Sequence, residues 1–459
     1  MKIAIIGGGP GGYVAAIRAA QLGAAVTLIE ENKLGGTCLN VGCIPTKALL
    51  HTAELYDQAL HGADCGIQAN VSLDFSKAME SKTKIVNKLV GGVTGLMKAN
   101  NVKVMSGKAS FVDNATIEIA GAGERQQLTA DKFIIASGSV PVMPPIPGLS
   151  APRCIDSTGA LTLTAVPKSM VIIGGGVIGV EMATMYSALG CNVTIVEMFD
   201  RILPLMDREL ALMLQANLLK DGVNIYTSSK LVSIEKDINI QAPSGALALN
   251  AEKVLVSIGR KPNIDGLALD KAGVNTANGR ITVNNKQETS AANMYAIGDC
   301  TGGIMLAHAA SAHGEVAAEN ACGHSAIFDG RTIPSCVYTR VELASVGLSE
   351  EQAQVQGIDY VAGRFPLAAN GKSLIMNADG IVKIIAGKQY GEVLGVHIYA
   401  PRATELIAEG ALAIRLEATV DELIDTIHAH PTVGESVREA ALQVYNRALH
   451  IPNKAARKA

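Results

Sequence analysis

Two cysteines, Cys38 and Cys43, lie five positions apart in the stretch GGTCLNVGCIPTK at residues 35–47. Thiols at this spacing could bind a metal ion, close a structural disulfide or act as a redox pair. A metal site needs further ligands, and no Cys-x-x-Cys motif or histidine pair lies nearby. A structural disulfide would add little to so short a loop. Pro45 and the helix-like run 46–55 place the pair at a helix start, where the helix dipole lowers a thiol pKa, so the sequence favours a redox pair.

The remaining cysteines are scattered singly along the chain, which does not indicate a disulfide scaffold. We interpret them as small buried or neutral residues: Cys65, Cys154, Cys191, Cys300, Cys322 and Cys336.

A second group of reactive side chains lies near the C-terminus, in HAHPTVGES at residues 428–436. Two histidines in a polar loop more often have a solvated or capping role than a catalytic one. On the residues alone, a solvated or capping role is therefore favoured over a catalytic one for His428 and His430.

A glycine-rich turn near the N-terminus could hold a dinucleotide. In IAIIGGGPGG, residues 3–12, an apolar strand leads into Gly7, Gly9 and Gly12, and a small-residue helix and a second strand ending at Glu30 follow. Glycines there allow a tight turn and close approach to a pyrophosphate, and the helix N-terminus supplies N–H donors. The carboxylate can accept hydrogen bonds from ribose hydroxyls.

The same unit recurs in the middle of the chain. MVIIGGGVIG at residues 170–179 carries Gly174, Gly176 and Gly179, and the next strand ends at Glu197. Gly7 to Glu30 and Gly174 to Glu197 both span 23 positions. Two copies with one strand context predict two dinucleotide sites. Glu197 would repel the 2′-phosphate of NADP, and Arg201 is the only nearby cation, so the second site favours NAD.

Composition is consistent with a large folded protein. With 459 residues, 48% apolar and 18% charged residues, we expect about three domains. The net charge of −3 gives no broad attraction to nucleic acid or anionic lipid. The apolar start 1–6 reads as a first strand rather than a signal peptide, and no apolar run is long enough to span a membrane. We therefore expect a soluble, cytoplasmic protein with neither nucleic-acid nor membrane partners.

Together, GGTCLNVGCIPTK and the two dinucleotide units resemble the class I pyridine nucleotide–disulfide oxidoreductases. FIIASGSVP at 133–141 is similar to the family's Ala-Thr-Gly segment, with Ser137 in place of threonine. MYAIGDC at 294–300 resembles its second FAD motif, LAHAA at 306–310 its helix start beside the flavin, and VLVSIGRKPN at 254–263 the segment that returns from the NAD domain. The resemblance covers essentially the whole chain.

This resemblance implies FAD in the first site and NAD in the second, with no metal. The implied FAD-binding residues are Gly7, Gly9, Gly12, Glu30, Gly36, Thr37, Lys47, Ala109, Ser137, Gly138, Asp299, Leu306, Ala307 and His308. The implied NAD-binding residues are Gly174, Gly176, Val177, Ile178, Gly179, Glu197 and Gly259.

The resemblance also implies catalytic roles. Cys38 would be the outer sulfur that substrate attacks and Cys43 the inner sulfur facing the flavin. His430, contributed by the other subunit of a homodimer, would be the acid–base catalyst, held by Glu435. Lys47 and Glu181 would form an ion pair beside the flavin, although an ordinary surface pair is the alternative; His428 is left as structural.

Within the family, CLNVGCIPTK resembles the branch that oxidises dihydrolipoyl groups on other proteins and reduces NAD⁺. Glutathione reductases typically have Pro-Lys-Lys and a basic NADP site instead. Partners would be the lipoyl-bearing proteins of a 2-oxoacid dehydrogenase, acetoin dehydrogenase or glycine cleavage complex. The Val433-Gly434 pair departs from the bulkier residues common there. A reductase of another disulfide and a redox sensor are the alternatives.

The expected fold class is α/β, with two Rossmann-like dinucleotide-binding domains, for FAD and NAD, and a C-terminal α+β dimerisation domain. The expected segments are 1–143 (FAD domain, first part), 144–263 (NAD domain), 264–333 (FAD domain, second part) and 334–459 (interface domain).

Overall fold

A parallel sheet forms the centre of the N-terminal region in the computed structural model, which describes residues 1–121 and 123–453. Its middle strands are apolar because helices cover both faces. Across the sheet the strands are Met294–Ala296, Lys132–Ile135, Lys2–Ile6, Ala25–Glu30 and Lys103–Ser106. The helices of this region are Pro10–Gln21, Gly36–Val41, Cys43–Leu60, Phe75–Ala99 and Ala307–Ala321. An antiparallel meander of Lys108–Phe111, Thr116–Ala120 and Gln126–Thr129 is inserted before the strand Lys132–Ile135.

A second parallel sheet repeats this arrangement. Across it the strands are Cys154–Ile155, Lys253–Val256, Ser169–Ile173, Asn192–Val196 and Asn224–Tyr226. Its helices are Ser157–Ala160, Val177–Ala188 and Arg208–Lys220, and its own antiparallel meander is Lys230–Ile234, Ile238–Ala242 and Gly245–Leu249.

The register shows how closely the two units correspond. Lys2 pairs with Ala25 in the first sheet and Ser169 pairs with Asn192 in the second, so each central strand pairs with the strand 23 residues later. This equal offset puts the two glycine-rich turns and their terminal acids in equivalent places. The two Rossmann-like units predicted from the sequence are confirmed as folds.

Two short strands join the parallel sheets where the chain passes between them. Ser139–Pro141 pairs antiparallel with Arg260–Pro262, so the outgoing and returning segments are bonded to each other. A further small ribbon, Thr276–Ala277 with Arg280–Ile281, follows the return. The residue boundaries of the domains stay a prediction.

The C-terminal region is an antiparallel sheet with helices, as the predicted α+β class requires. Across the sheet the strands are Ser335–Val337, Glu342–Gly347, Val393–Ala400, Ile381–Gly387 and Tyr360–Pro366. Its helices are Glu350–Val355, Gly371–Ile375, Ala403–Arg415, Val420–Asp425 and Glu435–Val444. Residues 454–459 of the predicted interface domain lie outside the described residues.

One buried apolar cluster joins all three regions. It contains Leu49 of the helix that begins at Cys43, Tyr186 of the second unit and Tyr399 of the C-terminal sheet. The cysteine-bearing helix is therefore fixed against both other regions. Short 3₁₀ helices complete the described structure at Gly62–Cys65, Gly298–Thr301, Gly330–Thr332 and Leu367–Ala369. No helix within residues 1–121 and 123–453 has the length and apolar character needed to span a membrane.

Candidate active site

A large cavity, of about 2230 Å³, lies between the three regions. Both glycine-rich turns open into it, and so do both cysteines of the redox stretch. The predicted residues that line it are Gly7, Gly9, Gly12, Glu30, Gly36, Thr37, Cys38, Cys43, Lys47, Ala109, Ser137, Gly138, Gly174, Gly176, Val177, Ile178, Glu181, Glu197, Gly259, Asp299, Leu306, Ala307 and His308. Gly179, His430 and Glu435 do not line it.

The two cysteines sit on either side of a helix break. Cys38 lies in the helix Gly36–Val41, and Cys43 is the first residue of the helix Cys43–Leu60. Both are half-buried thiols, and a hydrogen bond joins their sulfurs. The predicted position of the pair at a helix start is therefore correct.

The thiol–thiol hydrogen bond makes the two sulfurs unequal. It lowers the pKa of Cys43 from 9.0 to about 7, with further help from the Lys47 ammonium and against the effect of burial. The same hydrogen bond, together with burial, raises the pKa of Cys38. Since the two sulfurs titrate as a pair, the pair keeps one proton near neutral pH, with the thiolate on Cys43. A thiolate is the form that reacts with disulfides.

An ion pair lies one helical turn beyond Cys43. Lys47 Nζ is 2.9 and 2.7 Å from the two carboxylate oxygens of Glu181. Glu181 is nearly fully buried, so burial raises the pKa of its carboxyl against the opposing effects of Lys47 and the Tyr338 N–H. The two residues come from different dinucleotide units, 134 positions apart, so the pair is not the ordinary surface contact considered above.

Tyr338, from the C-terminal region, completes this group. Its backbone N–H donates to Glu181 Oε1 at 3.1 Å, and Lys47 Nζ lies 4.3 Å from the centre of its ring. A cation over an aromatic face is attracted by the ring quadrupole. Lys47 is thereby held from two sides.

The first and third glycines of each turn are required by the fold itself. Gly7 and Gly174 have φ of 107° and 106°, a backbone region that favours glycine. A Cβ on Gly12 would lie 1.9 Å from the Gly7 carbonyl oxygen, and one on Gly179 would lie 2.0 Å from that of Gly174. Helix and strand therefore pack directly backbone to backbone in both units.

The middle glycines face open space. A Cβ on Gly176 would meet no protein atom within 4 Å, and one on Gly9 would meet only the Gly36 Cα, at 4.0 Å. Each lies just before a helix that starts at the cavity, where backbone N–H groups favour an anion. The bare face is thus available to a ligand. The turns fit the pyrophosphates of the FAD and NAD that the resemblance implies.

The two acids are held alike beside these turns. Glu30 accepts a hydrogen bond from the Gly8 N–H at 2.6 Å, and Glu197 accepts one from the Gly175 N–H at 2.5 Å. Each carboxylate lines the cavity, where it can accept ribose hydroxyls.

The surroundings of Glu197 favour NAD over NADP. Arg201, the cation that could meet a 2′-phosphate, is largely buried and is 3.1 Å from carboxylate oxygens of both Asp200 and Glu351. Its charge is already balanced by these acids, so Arg201 is not available to a 2′-phosphate.

The second FAD motif forms a polar network with residues that the sequence did not single out. Ser139 Oγ donates to Asp299 Oδ2 at 2.5 Å, and Arg260 Nε donates to Ser139 Oγ at 2.7 Å. Asp299 is the second residue of the short helix Gly298–Thr301 at the cavity wall. His308, at the start of the helix Ala307–Ala321, donates from Nε2 to the Pro334 carbonyl at 2.9 Å.

His430 and Glu435 form a hydrogen-bonded pair that does not line the cavity. His430 Nδ1 lies 2.8 Å from Glu435 Oε1, and the ring is 80% exposed. Burial of Glu435 disfavours its charge, but the Thr432 N–H and His430 lower its pKa overall. A carboxylate on Nδ1 fixes the tautomer and leaves Nε2 free to accept a proton. Within one chain this pair and the cysteines are not brought together.

Ser139, Arg260 and Tyr338 line the cavity but were missed in the sequence. Arg260 lies within the VLVSIGRKPN segment, so that match could have identified it. Tyr338 has no comparable pattern, because its contacts come from residues far away in the chain.

Two family profiles match the chain. The profile described as pyridine nucleotide-disulphide oxidoreductase matches residues 1–314, and that of the corresponding dimerisation domain matches residues 333–441. The dihydrolipoyl dehydrogenase of Geobacillus stearothermophilus is 44% identical over 458 residues, which cover 98% of this chain and 97% of the relative. The mitochondrial dihydrolipoyl dehydrogenase of Pisum sativum is 42% identical, with 98% and 92% covered.

Two solved structures are also similar to this chain over nearly its whole length. LpdA from Mycobacterium tuberculosis superposes with a TM-score of 0.89 at 28% identity, covering 96% of this chain and 99% of that one. The HOCl-induced flavoprotein disulfide reductase RclA from Escherichia coli gives a TM-score of 0.85 at 29% identity, covering 95% and 98%.

Proposed function

Because the chain belongs to the pyridine nucleotide-disulphide oxidoreductase family, we propose that it is an enzyme with dihydrolipoyl dehydrogenase activity. It oxidises dihydrolipoyl groups to lipoyl groups and reduces NAD⁺ to NADH, with FAD as its flavin cofactor. One observation carries the proposal. The Cys38–Cys43 pair, with the pKa of Cys43 lowered, lies in the same cavity as two dinucleotide-binding turns.

The chain offers residues that would hold each of the two cofactors of the family. Gly9, Glu30 and Asp299 would hold FAD at the first turn, and Gly176 and Glu197 would hold NAD at the second. When bound, FAD supplies a two-electron acceptor for the thiol pair and NAD⁺ a hydride acceptor.

Catalysis begins when a residue of the other subunit accepts a proton from the substrate. In a homodimer, His430 of the partner subunit takes the proton of the first substrate thiol at Nε2, and Glu435 stabilises the resulting imidazolium through Nδ1. The dimerisation-domain match supports this arrangement. The exposure of His430 supports it too, because the ring is free to enter a neighbouring subunit's site.

Sulfur exchange follows. The substrate thiolate attacks Cys38 Sγ of the Cys38–Cys43 disulfide, which forms a mixed disulfide and releases the Cys43 thiolate. The second substrate thiol attacks the substrate sulfur of that mixed disulfide and closes the lipoyl ring. Its proton passes to Cys38, whose raised pKa favours the thiol form. Two electrons have then moved from the substrate to the cysteine pair.

The Cys43 thiolate is stabilised where it forms. It stands at the first position of a helix and lies near Lys47, and it accepts a hydrogen bond from Cys38 once the second exchange has returned Cys38 to the thiol form. Glu181 and Tyr338 hold the Lys47 ammonium in this place. These residues keep the negative charge on the inner sulfur.

The partners of this reaction are a second copy of the chain and separate lipoyl-bearing proteins. We place the enzyme in a 2-oxoacid dehydrogenase, acetoin dehydrogenase or glycine cleavage complex. The names of the relatives support the lipoyl substrate but do not distinguish between these complexes.

An anaerobic titration tests the proposal. One equivalent of dihydrolipoamide is added to the FAD-containing protein, the visible spectrum is recorded, and NAD⁺ is then added. We expect a long-wavelength charge-transfer band from the Cys43 thiolate, followed by NADH as more dihydrolipoamide is supplied. A Cys43→Ser variant is the matched control, and it should give neither signal.

An unchanged spectrum with dihydrolipoamide would contradict the proposal. If NADH or NADPH reduced the flavin in the same sample, the protein would instead be a reductase of another disulfide.

A further inference from the structure

A fully buried lysine lies between the second dinucleotide unit and the C-terminal sheet. Lys383, on the strand Ile381–Gly387, has 1% of its side chain exposed. Its Nζ lies 2.8 Å from Asp207 Oδ1, 2.7 Å from Glu209 Oε2 and 3.0 Å from Glu350 Oε2. A buried ammonium is tolerated only when it is fully paired, so these contacts define its position strictly.

A second cation joins the same group. Arg364, on the neighbouring strand, contacts Glu209 Oε2 at 2.9 Å and also contacts Glu350. The cluster thus contains three carboxylates and two cations, and neither cation can be removed without leaving like charges facing each other. We call Lys383, Arg364, Asp207, Glu209 and Glu350 the inter-region ion cluster.

The inter-region ion cluster holds one end of the segment 198–206, which lies beside the second glycine-rich turn. Asp207 caps the helix Arg208–Lys220, where its Oδ1 accepts the N–H groups of Glu209 and Leu210 at 3.1 and 3.3 Å. Residues 198–206, between Glu197 and this cap, line the NAD side of the cavity at Met198, Phe199, Leu203, Pro204, Leu205 and Met206.

This segment lies directly on the glycine-rich turn. The Leu203 N–H donates to the Gly175 carbonyl at 2.8 Å, and Gly175 in turn donates its N–H to Glu197. Leu203 has φ of 50°, a conformation that a leucine holds only when its surroundings enforce it. A displacement of Asp207 would therefore be transmitted to the second glycine-rich turn through the short segment 198–206, which contains the strained backbone of Leu203.

A second contact from the C-terminal region holds the middle of the segment. Arg201 is 3.1 Å from Glu351 Oε2, which follows Glu350 in the helix Glu350–Val355. The next residue of that helix, Gln352, lines the cavity. One helix therefore contacts the ion cluster, the segment 198–206 and the cavity itself.

We propose that Lys383 and Glu351 are positioning residues for NAD: the C-terminal region holds the segment 198–206, and through it Glu197 and the second glycine-rich turn, in the NAD-binding conformation. The identity of the ligand rests on the function proposed above. Neither residue lines the cavity, so both act through Asp207 and Arg201.

Lys383→Met is not a suitable test, because it would leave three carboxylates without their cation and could prevent folding. Two milder variants are used instead. Glu351→Gln removes the charge that holds Arg201. Asp207→Asn keeps a helix-capping oxygen but loses the charge that faces Lys383. NAD⁺ is titrated calorimetrically into the FAD-containing protein. We expect the dissociation constant to rise about fivefold in each variant, which is the size of effect that residues without direct ligand contact produce through a packed network.

The control separates positioning from general stability. Arg415→Met breaks another contact of the C-terminal region, Arg415 to Asp329 at 2.7 Å, and neither of these residues lines the cavity. It should leave the NAD⁺ dissociation constant unchanged. In Glu351→Gln and Asp207→Asn, the rate of flavin reduction by dihydrolipoamide should stay within about twofold of the wild type, since that step does not use the NAD turn.

Equal NAD⁺ affinity in the wild type and both variants would overturn the inference, whatever the disulfide substrate is. Equal loss of NAD⁺ binding and of flavin reduction would overturn it too, because the cluster would then only stabilise the fold. A wild-type protein that binds NAD⁺ but does not oxidise dihydrolipoamide would contradict the proposed function alone, and the calorimetric comparison would still decide the inference.

Discussion

Glu30 and Glu197 hold the two glycine-rich turns in the same way. Besides the N–H of Gly8 or Gly175, each carboxylate accepts the N–H two residues beyond itself, from Asn32 or Phe199, at 2.8 Å in both cases. Each acid thus ties the turn to the end of its own second strand. The two units differ in what surrounds these turns rather than in the turns themselves.

The glycines of the second turn should separate folding from NAD binding. Gly179→Ala places a methyl group 2.0 Å from the Gly174 carbonyl oxygen, so we expect destabilisation of about 1–3 kcal/mol or more. Gly176→Ala meets no protein atom within 4 Å and should fold with nearly wild-type stability while NAD⁺ binding falls at least tenfold. Thermal unfolding and NAD⁺ titration measure the two effects. Similar melting temperatures for both variants would contradict this assignment of roles.

The thiol pair should lose its first proton near pH 7. The pKa of Cys43 is lowered to about 7, so Cys43 remains a thiolate above that pH and is protonated below it. In protein reduced under anaerobic conditions, the rate of Cys43 alkylation by iodoacetamide, followed by mass spectrometry, should rise with a midpoint near pH 7. Cys38 should react only at clearly higher pH. Midpoints near the ordinary 9.0 for both thiols would show that the hydrogen bond does not polarise the pair.

Removing the Lys47 charge should raise that midpoint. The ammonium favours the Cys43 thiolate, so Lys47→Met should shift the midpoint upward by about one pH unit. The remaining Glu181 carboxyl should take up a proton, because burial already raises its pKa. Lys47→Arg keeps the charge and is the matched control. A midpoint that is the same in all three proteins would exclude an electrostatic role for Lys47.

Mixed dimers should reveal whether His430 acts across the subunit interface. Cys38→Ser and His430→Gln homodimers should each lose about 10²–10⁴-fold in dihydrolipoamide oxidation. A heterodimer of one chain of each kind should regain about half of the wild-type activity, because one of its two symmetric sites is intact. Purification with two different affinity tags isolates that species. A heterodimer as inactive as its parents would place both residues of each site in the same chain.

The sequence contains enough to predict the two dinucleotide units and their acids, because these depend on contacts within about 30 consecutive residues. The pairing of Lys47 with Glu181 was predicted from the family resemblance. Sequence spacing alone cannot predict a contact between residues 134 positions apart. The inner position of Cys43 also came from the resemblance, and its pKa is lowered mainly by the hydrogen bond with Cys38 and by Lys47, both within five positions of it.

Other features depend on packing between regions and leave no local pattern. Lys383 lies in the apolar run IVKII, where nothing indicates that its ammonium is buried among three carboxylates from two other elements. Tyr338 reaches Lys47 only because the C-terminal sheet packs against the cysteine-bearing helix. The separation of His430 from the cavity depends equally on tertiary structure.

The exposed imidazole of His430 has a consequence for how the enzyme responds to dilution. In the mechanism proposed above, a single chain holds the cysteine pair without its catalytic base and the base without a cysteine pair. Catalytic capacity therefore depends on the equilibrium between one chain and two, and turnover per chain falls when the protein is diluted below the dissociation constant of the dimer. Below that concentration, the rate would vary with the square of the amount of protein.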